Sequence, residues 1–105
     1  MARLRWTKEA SNDVVAICEF VSRDSLYYAK MFARDVLEAV EKLETFPLSG
    51  RMVPELKNNC IRELILGNYR IIYQVENDTV HILSVYHSSR LLSQDKIKSN
   101  DSDVS

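Results

Sequence analysis

Glycine and proline are almost missing from this chain, two of each in 105 residues. So few chain-breakers exclude long flexible linkers and low-complexity stretches, leaving ordered elements joined by short turns. Cysteine is equally scarce: Cys18 and Cys60 stand far apart, without metal-ligand spacing. That argues against a disulfide framework and makes Cys18, on a helix face beside apolar neighbours, a reduced and buried thiol. No apolar run approaches the length of a membrane span, and Met1–Trp6 has no signal-peptide core; both point to the cytoplasm. A basic surplus is missing as well, with 14 Lys and Arg against 15 Asp and Glu and a formal net charge of −1. Proteins that hold nucleic acid through its phosphates usually carry such a surplus, so only a local patch could serve here. Nucleotide-binding glycine loops, nucleophile elbows and metal motifs are absent too, and no cofactor is expected.

What is present suits one ordinary globular domain: 46% hydrophobic and 28% charged residues, enough chain for one core and not for two. Ala2, Leu4 and Trp6 alternate with Arg3 and Arg5, the period of a short half-buried strand. Thr7 offers an N-cap, Glu9 suits the helix dipole, and Ala10, Val14, Ile17 and Val21 form one apolar stripe, predicting a helix over 8–22. After the Ser22–Ser25 turn, with Asp24 or Ser25 as cap, a second stripe runs through Ala29, Phe32, Val36, Val40 and Leu43. Pro47 stops it. Of Tyr27 and Tyr28 at its start, one is expected in the core and the other on the surface.

Residues 48–59 read as a loop that could hold a short strand. Runs at 61–66, 69–76 and 79–87 then read as strands, separated by the turn signals Gly67-Asn68 and Asn77-Asp78. Connections this short make them antiparallel neighbours. Ile71, Tyr73 and Val75 share one face; Arg70, Ile72, Gln74 and Glu76 share the other. His81 reads as solvent-facing or at an interface, and Trp6 as core. The predicted fold is α+β, β-α-α-β-β-β: an N-terminal helical hairpin on one face of a small, twisted, mainly antiparallel sheet. The first strand closes one edge, and the other face is left partly open. Residues 1–97 form the domain, with a short helix expected within 90–97, and the polar residues 98–105 a disordered tail.

A string of motifs runs through the second half: Phe46-Pro47-x-x-Gly50-Arg51, Val53-Pro54-Glu55, Arg62-Glu63-Leu64, Gly67-x-Tyr69-Arg70-Ile71-Ile72-Tyr73, and Val85-x-His87-x-x-Arg90. In order and spacing they resemble the RelE/ParE superfamily of toxins of type II toxin–antitoxin systems, and the ParE (plasmid stabilization) branch most. The resemblance covers roughly residues 3–93. It implies a toxin that binds a cognate antitoxin, ParD-like or other, through the helical hairpin and a sheet edge, alone or as a homodimer or hetero-oligomer. A ParE-like toxin inhibits DNA gyrase without catalysis of its own, through a surface near the end of the last strand, with Tyr86, His87, Arg90 and Arg62 as target-binding candidates.

The alternative is a RelE-like, ribosome-dependent mRNA endoribonuclease. Its chemistry needs a base for the ribose 2′-hydroxyl, a cation for the developing phosphorane charge and an acid for the leaving oxygen. Arg70 could supply the cation and His87 the base or acid. The lysine pair of typical RelE proteins has no counterpart, since Lys57 stands alone before Asn58-Asn59, and the terminal-helix tyrosine is missing because Tyr86 is the last tyrosine. A member that only binds its antitoxin is a third reading. Against each functional role stands a structural one: Arg70 paired with Glu55 or Glu63, His87 and Arg90 tied to the second helix through Glu41 or Glu44, and Arg51 and Arg62 in ion pairs.

Overall fold

A computed structural model describes residues 1–88. The elements, in chain order, are β1 (Arg3–Trp6), α1 (Lys8–Ser22), α2 (Leu26–Glu41) with a 3-10 turn at Lys42–Glu44, β2 (Arg51–Met52), β3 (Ile61–Leu66), β4 (Tyr69–Glu76) and β5 (Thr79–His87). Both helices start where their caps dictate. The Thr7 hydroxyl accepts from the Ala10 N–H at 3.1 Å, and the Ser25 hydroxyl accepts from the Tyr28 N–H at 3.2 Å, each satisfying a donor the first turn leaves open. No helix among the described residues is long and apolar enough to cross a membrane.

The sheet has five strands in the order β1-β5-β4-β3-β2. The predicted edge strand is β1, which lies parallel to β5 with Arg3 opposite Thr79 and Trp6 opposite Ile82; the other pairs are antiparallel. The 48–59 segment contributes only the two-residue β2. Gly67 and Asn77 open the two hairpin turns with φ of +57° and +55°, a region open to glycine and tolerated by asparagine.

The helical hairpin covers one face. Ala10, Val36, Val40 and Leu43 pack there on Ile71, Tyr73, Val80, Ile82 and Val85. The opposite face is less open than the sequence suggests. Val53 and Leu56, from the loop after β2, fold over Ile61, Ile72, Leu83 and Tyr86 as a second apolar cluster. His81 is also a correction: it is buried, with its Nδ1 3.2 Å from Arg5 Nη1, because β5 is flanked by strands on both sides. Tyr27 and Tyr28 are both exposed, since the first turn of α2 makes neither a core position. Trp6 is half-buried at the edge of the main core. The expected helix within 90–97 and the tail lie outside the described residues.

One irregularity decides which way the end of β5 faces. Tyr73 pairs with Ile82 but Ile72 pairs with Ser84, so Leu83 is the extra residue of a β-bulge. Val80 and Ile82 face the helices before it, Val85 faces them after it, and Leu83 and Tyr86 turn to the other cluster. The start of α1 pins this kink. The Thr7 hydroxyl donates to the Ile82 carbonyl at 2.7 Å, and Asp13 Oδ2 accepts from the Val85 N–H at 2.9 Å.

Candidate functional site

The strongest polar constellation lies on the sheet face away from the helices. Arg70 stands on β4 between Ile65 of β3 and Tyr86 of β5. Its Nε donates to Glu63 Oε1 at 2.6 Å, while Nη1 and Nη2 donate to the two oxygens of Glu55 at 2.8 and 2.9 Å. Glu63 Oε2 also accepts from Arg51 Nε at 2.6 Å. Charges therefore alternate along Arg51, Glu63, Arg70 and Glu55. The Glu63 side chain is fully inaccessible and that of Arg70 is 6% exposed, so each charge depends on its neighbour for solvation. Hydrogen bonding to Glu55, aided by Glu63 and opposed by burial, holds the Arg70 guanidinium above its ordinary pKa.

The same ion pair positions the loop. Glu55 lies between Val53 and Leu56, which plug the second cluster, so the bidentate contact fastens the plug to the sheet. Arg62, on the helix side of β3, binds carbonyls: Nη1 donates to Gly50 at 3.1 Å and Nε to Asn59 at 3.2 Å. Gly50 is required where it stands. Its N–H donates to the Tyr73 hydroxyl at 2.9 Å, and an added Cβ would lie 2.5 Å from the Glu63 carbonyl oxygen. Burial pushes the Tyr73 phenol up, offset in part by the Gly50 N–H and the Arg62 charge. Burial likewise raises the Cys18 thiol, which makes it a poor nucleophile; Cys60 is exposed, and both cysteines are free.

The bulge separates Arg70 from His87. Tyr86 sits beside Arg70 and is 4% exposed, whereas His87 pairs with Tyr69 and turns to the helix side. His87 meets the Tyr69 ring edge-on at 5.5 Å, and Tyr69 in turn packs on Phe32 of α2 at 4.8 Å. A groove of about 360 Å³ runs alongside, with Asp13, Ile17 and Phe20 of α1 on one wall and Tyr69, Val85 and His87 on the other. It is largely apolar, with a carboxylate and an imidazole at hand. Arg90 lies outside the described residues. Sequence reasoning passes over Asp13, and no local signal marks it: its task is set by a backbone N–H 72 residues away.

Residues 4–92 match the family described as ParE toxin of type II toxin-antitoxin system, parDE. The chain belongs to this family. Toxin RelE2 of Caulobacter vibrioides (strain ATCC 19089 / CIP 103742 / CB 15) is 33% identical over 92 residues, covering 87% of this chain and 100% of the relative. A solved structure described as the chromosomal ParDE TA system from P. aeruginosa shares the fold, with a TM-score of 0.69 and 24% identity over 83% of this chain and 96% of that one. This ParE-family member is accordingly a toxin of a type II toxin–antitoxin system, and such a toxin has a cognate antitoxin as partner.

Proposed function

We propose that this toxin acts in the cytoplasm by inhibiting DNA gyrase, and that it engages its target through the end of β5 and the residues that follow. One observation carries this reading over the nucleolytic one: Arg70 and His87 face opposite sides of the sheet, and Nε and both Nη atoms of Arg70 are engaged by carboxylates of its own chain. General acid–base chemistry at one phosphate needs its cation and its proton carrier within reach of the same atoms. The exposed His87, with Arg90 three residues on, is the better target-binding candidate; Tyr86 is buried under the loop plug and Arg62 is held by carbonyls. The formal net charge of −1 also fits a protein target better than a polyanion.

Ribosome-dependent cleavage of mRNA is the second reading, favoured by the name of the relative Toxin RelE2. Purified toxin assayed for gyrase supercoiling and cleavage, beside ribosome-programmed mRNA cleavage, separates the two. The expected outcome is accumulated gyrase–DNA cleavage product with intact mRNA, reduced by His87→Ala. Cut mRNA with unaffected gyrase overturns the proposal, and expression without growth arrest would leave a protein that only binds its antitoxin.

A further inference from the structure

β5 outlasts one of its partners. β1 accompanies it only from Arg3 to Trp6, opposite Thr79 to Ile82, while β4 stays beside it as far as His87. Beyond Ile82, then, one side of β5 is an edge with no described strand beside it, and its outward backbone groups need partners from elsewhere. The start of α1 supplies them. Thr7 shares its hydroxyl between the Ile82 and Leu83 carbonyls at 2.7 and 3.1 Å. Asp13 Oδ2 accepts from the Val85 N–H at 2.9 Å, a bond that the charge of a carboxylate strengthens. Ala10, one turn earlier on α1, is wholly buried in the cluster that holds Val85, so helix packing carries the half-buried Asp13 to that edge.

Resting on the reading of the end of β5 as the target surface, we infer that Asp13 is the positioning residue of that surface. By holding the Val85 N–H it keeps the bulge at Leu83, and so decides which side chain the end of β5 presents. Two registers compete there, because a slip of one residue exchanges the faces of a strand. With the bulge, Ile71 lies opposite Val85 and Tyr69 opposite His87, and His87 lines the groove together with Asp13, Ile17 and Phe20. Without it, every residue after Ile82 moves one place along β4. Tyr86 would then turn to the helix side and His87 to the side of Arg70, a different surface for a partner to meet. The backbone shows which register Asp13 selects. The Ile82 carbonyl already points toward the β1 side, where it accepts from the Thr7 N–H. In an uninterrupted strand the next outward N–H groups would be those of Ser84 and Tyr86. Only the bulge turns the Val85 N–H outward, and that is the group Asp13 meets.

Substitutions at Asp13 in the full-length toxin test this. Asp13→Asn keeps an oxygen for the Val85 N–H, whereas Asp13→Leu keeps the bulk and removes the acceptor; Asp13→Ala gives the same reading if the leucine variant does not fold. In Asp13→Leu, amide exchange at Val85 should quicken. The nuclear Overhauser contact between the His87 and Tyr69 rings, which meet edge-on at 5.5 Å, should vanish while those between β3 and β4 persist. Inhibition of gyrase should fall by roughly tenfold or more, the scale of one lost interface anchor. Asp13→Asn should keep the ring contact and recover most of the inhibition. A leucine variant as potent as the wild type overturns the assignment, and so does one that loses potency with the ring contact intact. An asparagine variant as weak as the leucine one also overturns it, since the carboxylate charge would then be a direct target contact. His87→Ala tests the underlying reading separately: undiminished inhibition there removes the target surface itself, whereas the Asp13 outcomes bear on the positioning role alone.

Discussion

Arg70 shows how a residue type that suggests chemistry can be committed to architecture. Its three donor nitrogens meet Glu55 and Glu63, and Glu63 has no access to water. Arg70→Ala leaves that carboxylate with Arg51 as its remaining ion-pair partner among the described residues, and breaking a buried pair in this way costs about 3–5 kcal/mol. Thermal unfolding should show a fall in Tm large enough to dominate any functional change. An unchanged Tm with abolished activity would return Arg70 to a functional role. Tyr73 gives a second test at this scale, with a sign that can be worked out. Its phenol is buried and its pKa raised, so the folded state holds the proton more tightly than the unfolded chain. This stability is complete below the ordinary phenol value near 10 and is lost as pH rises through the higher folded value. Tyr73→Phe should remove the alkaline loss and leave the Gly50 N–H without its 2.9 Å acceptor, at about 1–3 kcal/mol near neutral pH. Denaturant titrations of both proteins at neutral and alkaline pH read the two effects separately. The pairing of Arg70 with Glu55 and Glu63 was open to sequence reasoning as one of two readings, because the three lie in motifs that bound a loop and a hairpin. The exclusion of water from Glu63 was not, since it depends on Val53 and Leu56 arriving from elsewhere.

Local rules govern the elements well as long as the strands stay regular. α1 begins and ends where its cap and apolar stripe predict, and the two hairpin turns fall at Gly67-Asn68 and Asn77-Asp78. On β4 the predicted division of faces holds, with Ile71, Tyr73 and Val75 toward the helices and Ile72 away. On β5 a period of two carried through from Val80 would turn Ser84 and Tyr86 toward the helices and His87 outward. The bulge at Leu83 reverses all three. Nothing in Thr79–His87 announces it, because the stabilising groups are Thr7 and Asp13, far away in sequence. Thr7 is the better probe, as one hydroxyl caps α1 and donates to the Ile82 carbonyl. Thr7→Val should cost about 1–3 kcal/mol through loss of both bonds, while Thr7→Ser should recover most of it; denaturant midpoints measure the difference. If the bulge relaxes in Thr7→Val, amide exchange at Val85 should quicken beyond that of β4.

At the scale of the whole molecule, the helical hairpin packs on a five-stranded sheet whose other face is closed at one end by a loop plug. The polar composition of residues 98–105 predicts that removing them leaves Tm unchanged, and a large fall would make that segment part of the domain. The order of strands has a kinetic consequence. β1 is among the first segments to leave the ribosome, yet its partner β5 is among the last described, and Arg5 meets His81 across 76 positions of chain. Contacts of such long range form late and slowly. A nascent chain that stops anywhere before β5 has two helices, an unpaired first strand and no Tyr86–His87 end to present. On the proposed reading of the end of β5 as the target surface, a chain still being made has no such surface to offer. Between release of the chain and closure of β1, β5 is an open sheet edge, the kind of surface an extended partner segment can join.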